Sequence, residues 1–138
     1  MLTLLPVILA LSVQEPAVAI SVNGKVTVQI NTELSSAERF MRVPENAVVT
    51  TGAQSTIALR FKSGSIIRLG PNTSAKLEEL VHGAVAGKRR ERIKLITGKI
   101  WTRVMKLMGQ EANFEVLTEH AVAGVRGTAF WVTSGQQG

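Results

Sequence analysis

The residues that could do chemistry are few in this chain and lie far apart. There is no cysteine and no aspartate among the 138 residues, and the only histidines are His82 and His120. These absences remove thiolate metal sites, aspartate-rich calcium loops and the usual Ser-His-Asp arrangement. A hydrolase would need a serine or threonine, a histidine and a glutamate brought together, which is a poor starting set. We therefore predict a protein that is not an enzyme and has no metal site and no cofactor.

One arginine is set in a sharp glycine-rich corner near the carboxyl end. The segment Gly124-Val125-Arg126-Gly127-Thr128 places glycines on both sides of Arg126. Glycine allows close backbone approach, and a guanidinium carries five donors that can hold several carbonyls. We interpret Gly124, Arg126, Gly127 and Thr128 as a structural clamp inside the fold. A ligand contact by Arg126 is the alternative.

A basic run in the middle of the chain is the main candidate for an interaction surface. The net charge is +6, which suits an acidic partner but also an ordinary solvated surface. No aromatic residues alternate with the basic ones to stack on bases, so nucleic acid is not favoured. The two tryptophans could serve as sugar platforms or simply cap the core. The predicted surface comprises Lys88, Arg89, Arg90, Arg92, Lys94, Trp101 and Trp131.

The amino end has the features of a targeting signal. Leu2 to Val13 is mostly apolar but shorter than the stretch of about 20 residues that a spanning helix needs. Ala17-Val18-Ala19 supplies the small-x-small pattern that signal peptidase reads. We predict a signal peptide over residues 1–19, a mature chain from Ile20, and export to the periplasm or medium without a transmembrane span. A hydrophobic strand of the fold is the alternative.

The rest of the chain alternates between apolar and polar residues at strand period. Ser55 to Ser63 is the clearest case, with Ile57, Leu59 and Phe61 on one face. Arg92 to Ile96 and Lys99 to Met105 read as two further strands joined by a turn at Thr97-Gly98. Residues 75–81 also alternate, although a short helix is an open alternative there.

Polar-glycine turns recur before several strands. Gly24-Lys25-Val26, Gly64-Ser65-Ile66 and Gly98-Lys99-Ile100 each open a strand, which is suggestive of stacked β-turns. We predict one all-β domain of short antiparallel strands, as a sandwich or a β-solenoid. Its parts are the signal peptide, an N-terminal strand and loop over residues 20–46, the main β domain over residues 47–133, and a frayed end over residues 134–138.

The order of these elements resembles a FecR domain from about Ala47 to Val132. The likeness is carried by short segments in sequence: Val49-Thr50-Thr51-Gly52, the strand Ile57–Phe61 with Ser63-Gly64-Ser65, Ile67-Arg68-Leu69-Gly70-Pro71-Asn72-Thr73, Thr97-Gly98-Lys99-Ile100-Trp101, Phe114–Thr118 and the ending Ala121–Val132 with Arg126-Gly127-Thr128. Ser63-Gly64 and Thr118-Glu119 depart from the Asp-Gly and Thr-Pro that are frequent in the family.

The resemblance implies an exported, non-catalytic β domain. Well-known members sit in the periplasm, receive a signal from an outer-membrane transporter and pass it to a cytoplasmic anti-sigma segment. We expect an envelope module for protein interaction, sensing or signal transduction, with a protein partner. A binding module for cell-wall polysaccharide or another anionic glycan is the alternative function.

Overall fold

The computed structural model describes residues 13–82, 89–104, 112–119, 122–125 and 129–134. Every regular element in these ranges is a β-strand. The strands are β1 (Val13–Gln14), β2 (Ala17–Asn23), β3 (Val26–Ile30), β4 (Glu33–Ser36), β5 (Arg42–Val43), β6 (Val48–Thr51), β7 (Thr56–Arg60), β8 (Ile66–Leu69), β9 (Ser74–His82), β10 (Arg89–Arg103), β11 (Ala112–Leu117), β12 (Val122–Val125) and β13 (Ala129–Ser134). The predicted all-β fold is confirmed.

The strands form one sheet that is bent into two half-sheets. The main order is β4-β3-β6-β9-β10-β8-β7-β2-β5, and β11 and β13 also pair with β10. The amino-terminal part of β10 pairs with β9 and β11, whereas its carboxyl-terminal part pairs with β8 and β13. We call the half containing β4, β3, β6, β9 and β11 the first half-sheet, and the half containing β8, β7, β2 and β5 the second.

The two half-sheets enclose a single core. Alternating apolar residues point inward from both halves because side chains on a strand alternate between faces. Phe61 beside β7 meets Phe114 of β11 edge to face, with ring centroids 5.8 Å apart, and so joins the halves. Among the described residues, the large side chains that are almost fully buried are Phe114, Ile57, Leu59, Ile67, Leu69, Leu77, Leu80, Ile93, Leu95, Ile100, Glu91 and Val28.

The structure decides one open alternative about the strands and corrects one expected turn. Residues 75–81, for which a short helix was the alternative, are strand, because β9 pairs along its length with β10. Thr97-Gly98 is not a turn between two strands but a bend within the continuous β10. From Arg89 onward the basic run belongs to the start of that strand.

The pairing is not entirely antiparallel as predicted. β10 pairs with β11 in parallel, with Arg89 opposite Ala112 and Lys94 opposite Leu117. Parallel neighbours require a crossover connection rather than a hairpin. The short alternating pattern of β11 carries no information on direction, so the sequence could not show it.

The residues around the predicted cleavage site are part of the fold. Ala17 and Ala19 are fully buried in the core, and β2 pairs with both β5 and β7. The strand alternative is therefore what the structure shows for this stretch, while cleavage after Ala19 stays a prediction. Residues 1–12 of the predicted signal and residues 135–138 of the predicted frayed end lie outside the described ranges.

The N-terminal strand and loop belong to the same sheet as the main β domain. β3 pairs with β6, with Val26 opposite Thr51, and β2 pairs with β7, with Asn23 opposite Thr56. The core likewise draws on residues from both segments. Position 47 therefore marks no break in the packing.

Candidate functional site

Two matching corners carry the chain between the half-sheets. At one corner β2 of the second half-sheet continues through Gly24 into β3 of the first, and at the other β10 bends at Gly98. Both glycines have left-handed backbone angles, φ 78° and 101°. Each corner packs on a four-residue turn, which we call hydroxyl turn 1 (residues 52–55) and hydroxyl turn 2 (residues 70–73).

Hydroxyl turn 1 holds the first corner by a short hydrogen-bond circuit. The backbone N–H of Lys25 donates to Ser55 Oγ at 2.8 Å, and the N–H of Gly52 donates to the Lys25 carbonyl at 2.9 Å. The Ser55 hydroxyl in turn donates to the Ala53 carbonyl at 3.0 Å. The serine thus satisfies backbone groups that the bend would otherwise leave without partners.

Hydroxyl turn 2 repeats the same circuit at the second corner. The N–H of Lys99 donates to Thr73 Oγ1 at 3.0 Å, and the N–H of Gly70 donates to the Lys99 carbonyl at 2.9 Å. The Thr73 hydroxyl donates to the Pro71 carbonyl at 3.1 Å. The Gly-Lys pairs noted in the sequence therefore do mark equivalent places in the fold.

Each hydroxyl turn reverses through a left-handed amide residue. Gln54 has φ 55° and Asn72 has φ 52°. Asparagine adopts this region more readily than most residues because its short side chain bonds locally. This explains the Gly-Pro-Asn-Thr segment noted in the sequence as a turn signature rather than a ligand motif.

The two hydroxyl turns are also bonded to each other. Thr51 Oγ1 donates to the Gly70 carbonyl at 2.6 Å and accepts from the Thr73 N–H at 2.9 Å. The N–H of Thr51 donates to the Thr73 carbonyl at 2.7 Å, and that of Asn72 donates to the Gly52 carbonyl at 3.0 Å. Thr51 and Thr73 are buried, and their hydroxyls are engaged with backbone. These bonds to backbone groups stabilise the two turns.

The outer face of the first half-sheet carries a straight row of hydroxyl side chains. The strand registers place one serine or threonine opposite the next across β4, β3, β6, β9 and β10. Thr50 Oγ1 and Ser74 Oγ within the row are 3.2 Å apart and hydrogen bonded. The members of this hydroxyl row are Ser36, Thr27, Thr50, Ser74 and Thr97.

Two lysines stand beside the hydroxyl row on the same face. Lys76 follows Ser74 by two residues on β9, and Lys94 lies directly opposite it on β10. Both alternate with buried neighbours, so their side chains leave the outer face. Like charges directly opposite each other disfavour a sheet. Within the described residues, neither lysine makes an ion pair.

Two arginines of the predicted interaction surface, Arg90 and Arg92, are engaged in ion pairs. Arg92 bridges Glu79 on β9 at 3.6 Å and Glu115 on β11 at 3.1 Å, and Arg90 lies 3.5 Å from Glu79. This network ties three neighbouring strands together on the outer face. Lys94, also part of the predicted surface, has no such ion pair within the described residues and lies opposite Lys76.

The predicted surface does not form one patch. Trp101 lies seven residues beyond Lys94 on β10, roughly 23 Å along the strand, and past the bend at Gly98. Its ring is partly buried and has the Arg68 guanidinium 5.9 Å from its centroid, so it is not an open sugar platform. Trp131 is opposite Trp101 in the register, Arg89 begins β10, and Lys88 lies outside the described residues.

The predicted arginine clamp falls largely outside the described ranges. Gly124 is on β12 opposite Glu115 of β11, while Arg126, Gly127 and Thr128 are not described. The clamp interpretation therefore stays a prediction. Within the described ranges, glycines with left-handed backbone form corners of the sheet at Gly24 and Gly98.

One exposed feature lay outside the sequence predictions. Phe40, between β4 and β5, is 66% exposed and has a left-handed backbone, φ 71°. Its N–H donates to the Ala19 carbonyl at 2.6 Å, and the Arg39 guanidinium lies 4.7 Å from its ring centroid. Leu34 on the edge strand β4 is 68% exposed. A bulky side chain in this backbone region costs energy and commonly marks function.

The described residues contain no group of histidines and glutamates that could hold a metal ion. Nor does the described part of the chain include any helix that is long and apolar enough to cross a bilayer.

Comparison with known protein families identifies the class. The family model described as FecR protein matches residues 47–138, which is most of the chain and begins just before β6. The chain therefore belongs to the FecR family, and the resemblance noted in the sequence is confirmed. No curated protein and no solved structure matches it.

The range matched by the family model can be compared with the positions of the turns and of Phe40. The matched region contains both hydroxyl turns and the bend at Gly98, whereas Gly24, Arg39 and Phe40 precede it. FecR is a signalling family whose proteins are associated with the cell envelope. Both hydroxyl turns therefore lie inside the matched range, and the exposed aromatic residue lies in the segment before it.

Proposed function

We propose that this protein is an exported, non-catalytic FecR domain that senses or relays a signal in the cell envelope by binding another protein. The observation that carries the proposal is the family match over residues 47–138. The bonded hydroxyls of Ser55, Thr51 and Thr73 support it, since they stabilise corners and do not form a reaction centre.

The contact surface in this proposal is the segment from β4 to Phe40. It includes Leu34 and Phe40, two of the three large hydrophobic residues that are exposed in the described part of the chain. Aromatic residues and arginine are the side chains that most often dominate binding energy at protein interfaces. Arg39 stacked on Phe40 presents both types at one point. The left-handed backbone holds the ring outward.

The test is capture of the envelope partner with the chain and two variants. Phe40→Ala is the test variant, and Ile96→Ala is the matched control because Ile96 is also exposed, at 47%, but lies on β10. Wild type and the Ile96 variant are expected to recover the same partner after in-cell cross-linking. Loss of a central aromatic contact of about 2 kcal/mol would reduce recovery by roughly thirtyfold for the Phe40 variant.

The two parts of the proposal fail in different ways. Recovery of no specific partner by the wild-type chain would contradict the protein-binding function itself. Equal recovery by the Phe40 and wild-type chains would contradict only the placement of the contact. Circular dichroism and thermal unfolding confirm that each variant is folded.

A further inference from the structure

We propose that the outer face of the first half-sheet binds an acidic polysaccharide along the hydroxyl row, with its anionic groups held by Lys76 and Lys94. The argument starts from the two lysines. They are direct cross-strand neighbours on β9 and β10, and no acidic side chain in the described residues pairs with either.

Neighbouring basic residues on the same face do form ion pairs, in contrast to these two lysines within the described part of the chain. Further along the same strands, Arg92 pairs with Glu79 and Glu115, and Arg90 pairs with Glu79. The face therefore pairs these two arginines with glutamates, whereas the two lysines lie side by side without an ion pair in the described residues. A bound anion relieves the repulsion between directly opposed like charges.

The shape of the site selects an extended ligand. The hydroxyl row crosses five strands, so its ends are about 19 Å apart at a strand spacing of about 4.8 Å. Each hydroxyl can donate one hydrogen bond and accept others, which matches the mixed donors and acceptors of sugar hydroxyls. The lysine pair lies beside the row, with Lys76 two residues from Ser74 on β9 and Lys94 three residues from Thr97 on β10, where the register shifts by one residue.

More lysines border the other side of the row. Lys25 precedes Thr27 by two residues and Lys99 follows Thr97 by two, and both are exposed. Lysines on both sides of the hydroxyl row suit a polysaccharide that carries carboxylate or phosphate groups at intervals. The five residues of the row include no aromatic side chain that could stack on bases, which favours an acidic glycan over a single-stranded nucleic acid.

The experiment measures binding of a defined acidic glycan by isothermal titration calorimetry. The probe is a carboxylated oligomer of galacturonic acid, with an uncharged glucose oligomer and a single-stranded oligodeoxythymidine as comparisons. Wild type is expected to bind the acidic oligomer with an affinity that falls as salt rises, and to bind the uncharged oligomer much more weakly.

Two kinds of variant separate charge from hydroxyl recognition. Lys76→Gln with Lys94→Gln is expected to weaken binding about tenfold, the effect of two modest surface ion contacts. Arg60→Gln with Lys62→Gln removes the same charge from exposed positions elsewhere and is expected to change affinity less than twofold. Thr50→Val with Ser74→Ala keeps the charge and is expected to weaken glycan binding without changing oligodeoxythymidine binding.

Three outcomes overturn the inference. The first is that the Lys76 and Lys94 double variant binds the acidic glycan as tightly as wild type does. The second is that the Arg60 and Lys62 double variant loses as much affinity as the lysine variant. The third is that the wild-type chain binds oligodeoxythymidine more tightly than the acidic glycan. All substitutions are at surface positions, and unfolding midpoints close to wild type establish that each variant is folded. The result is independent of protein-partner capture at Phe40.

Discussion

At position 98 an added methyl group would lie 2.6 Å from the Cα of Thr73. The backbone there also has φ 101°, which side chains of L-residues rarely adopt. We therefore expect Gly98→Ala to lower the free energy of unfolding by about 3 kcal/mol or more, from left-handed strain together with a clash against backbone. Urea denaturation with a fixed slope measures the loss.

Gly70 provides the matched control for this substitution. It belongs to hydroxyl turn 2, its backbone is not left-handed, and a methyl group there would be 3.6 Å from the Lys99 carbonyl oxygen. Gly70→Ala is expected to change stability by less than about 1 kcal/mol. If both variants lost a similar free energy of unfolding, the loss would not depend on the left-handed backbone at Gly98. That result would contradict the special role of Gly98 in the corner.

Individual residues were predictable where their neighbours along the chain decide the outcome. Ile57, Leu59 and Phe61 were placed in the core by alternation alone, and all are buried. The roles of Ser55 and Thr73 were not predictable, because their partners Lys25 and Lys99 lie 30 and 26 residues away. Glu91 stands between arginines in a hydrophilic run, yet it is only 2% exposed because the alternation of β10 turns that position inward.

At the scale of strands, the pairing of β2 bears on where the amino end would be cut. Cleavage after Ala19 would remove two buried alanines and the pairing of Ala17 with Val43. It would also remove the Ala19 carbonyl that accepts the Phe40 N–H and the Ala19 N–H that donates to Met41. These groups contribute about 3 kcal/mol.

We therefore expect the exported chain recovered from the envelope to retain Ala17. Intact mass and amino-terminal sequencing of that chain give the cut site directly. A variant that begins at Ile20 is expected to unfold at a lower urea concentration than the recovered chain. A natural amino terminus at Ile20, with unchanged stability, would restore the cleavage site predicted from the sequence.

Strands were easy to predict from sequence, but their partners were not. β7 and β8 follow from strict alternation around the Ser63-Gly64 turn, and they pair as expected. β9 looked ambiguous because a register shift after Leu77 interrupts its alternation. The continuity of β10 was hidden because Gly98, normally a sign of a turn, is here a bend within one strand.

At the scale of the molecule, the region matched to the family is not the whole packing unit. β6 and β7 of the matched region take β3 and β2 of the preceding segment as neighbours. A chain that begins at residue 47 would expose one edge of each strand and uncover Val49 and Ile57. We expect such a chain to lack a cooperative unfolding transition, measured by calorimetry against the full chain. A sharp transition with native-like enthalpy would show that the matched region folds alone.

The candidate binding surfaces could be predicted from the sequence to a lesser extent than the fold. The basic run was recognised, but only the strand registers show that Arg92 is bridged to Glu79 and Glu115 while Lys94 faces Lys76. The hydroxyl row combines residues from five strands and has no signature along the chain. Family membership and the all-β class, in contrast, follow from short local patterns and were both confirmed.

The first strands also set the order of events after synthesis. β2 pairs with β7, and β3 pairs with β6, so both must wait for partners that lie 19 to 42 residues later in the chain. Such distant pairings slow the search for the native arrangement to milliseconds or seconds. A nascent chain leaving the ribosome therefore stays unfolded until its later strands have been synthesised. An unfolded chain is the form that a translocation channel accepts.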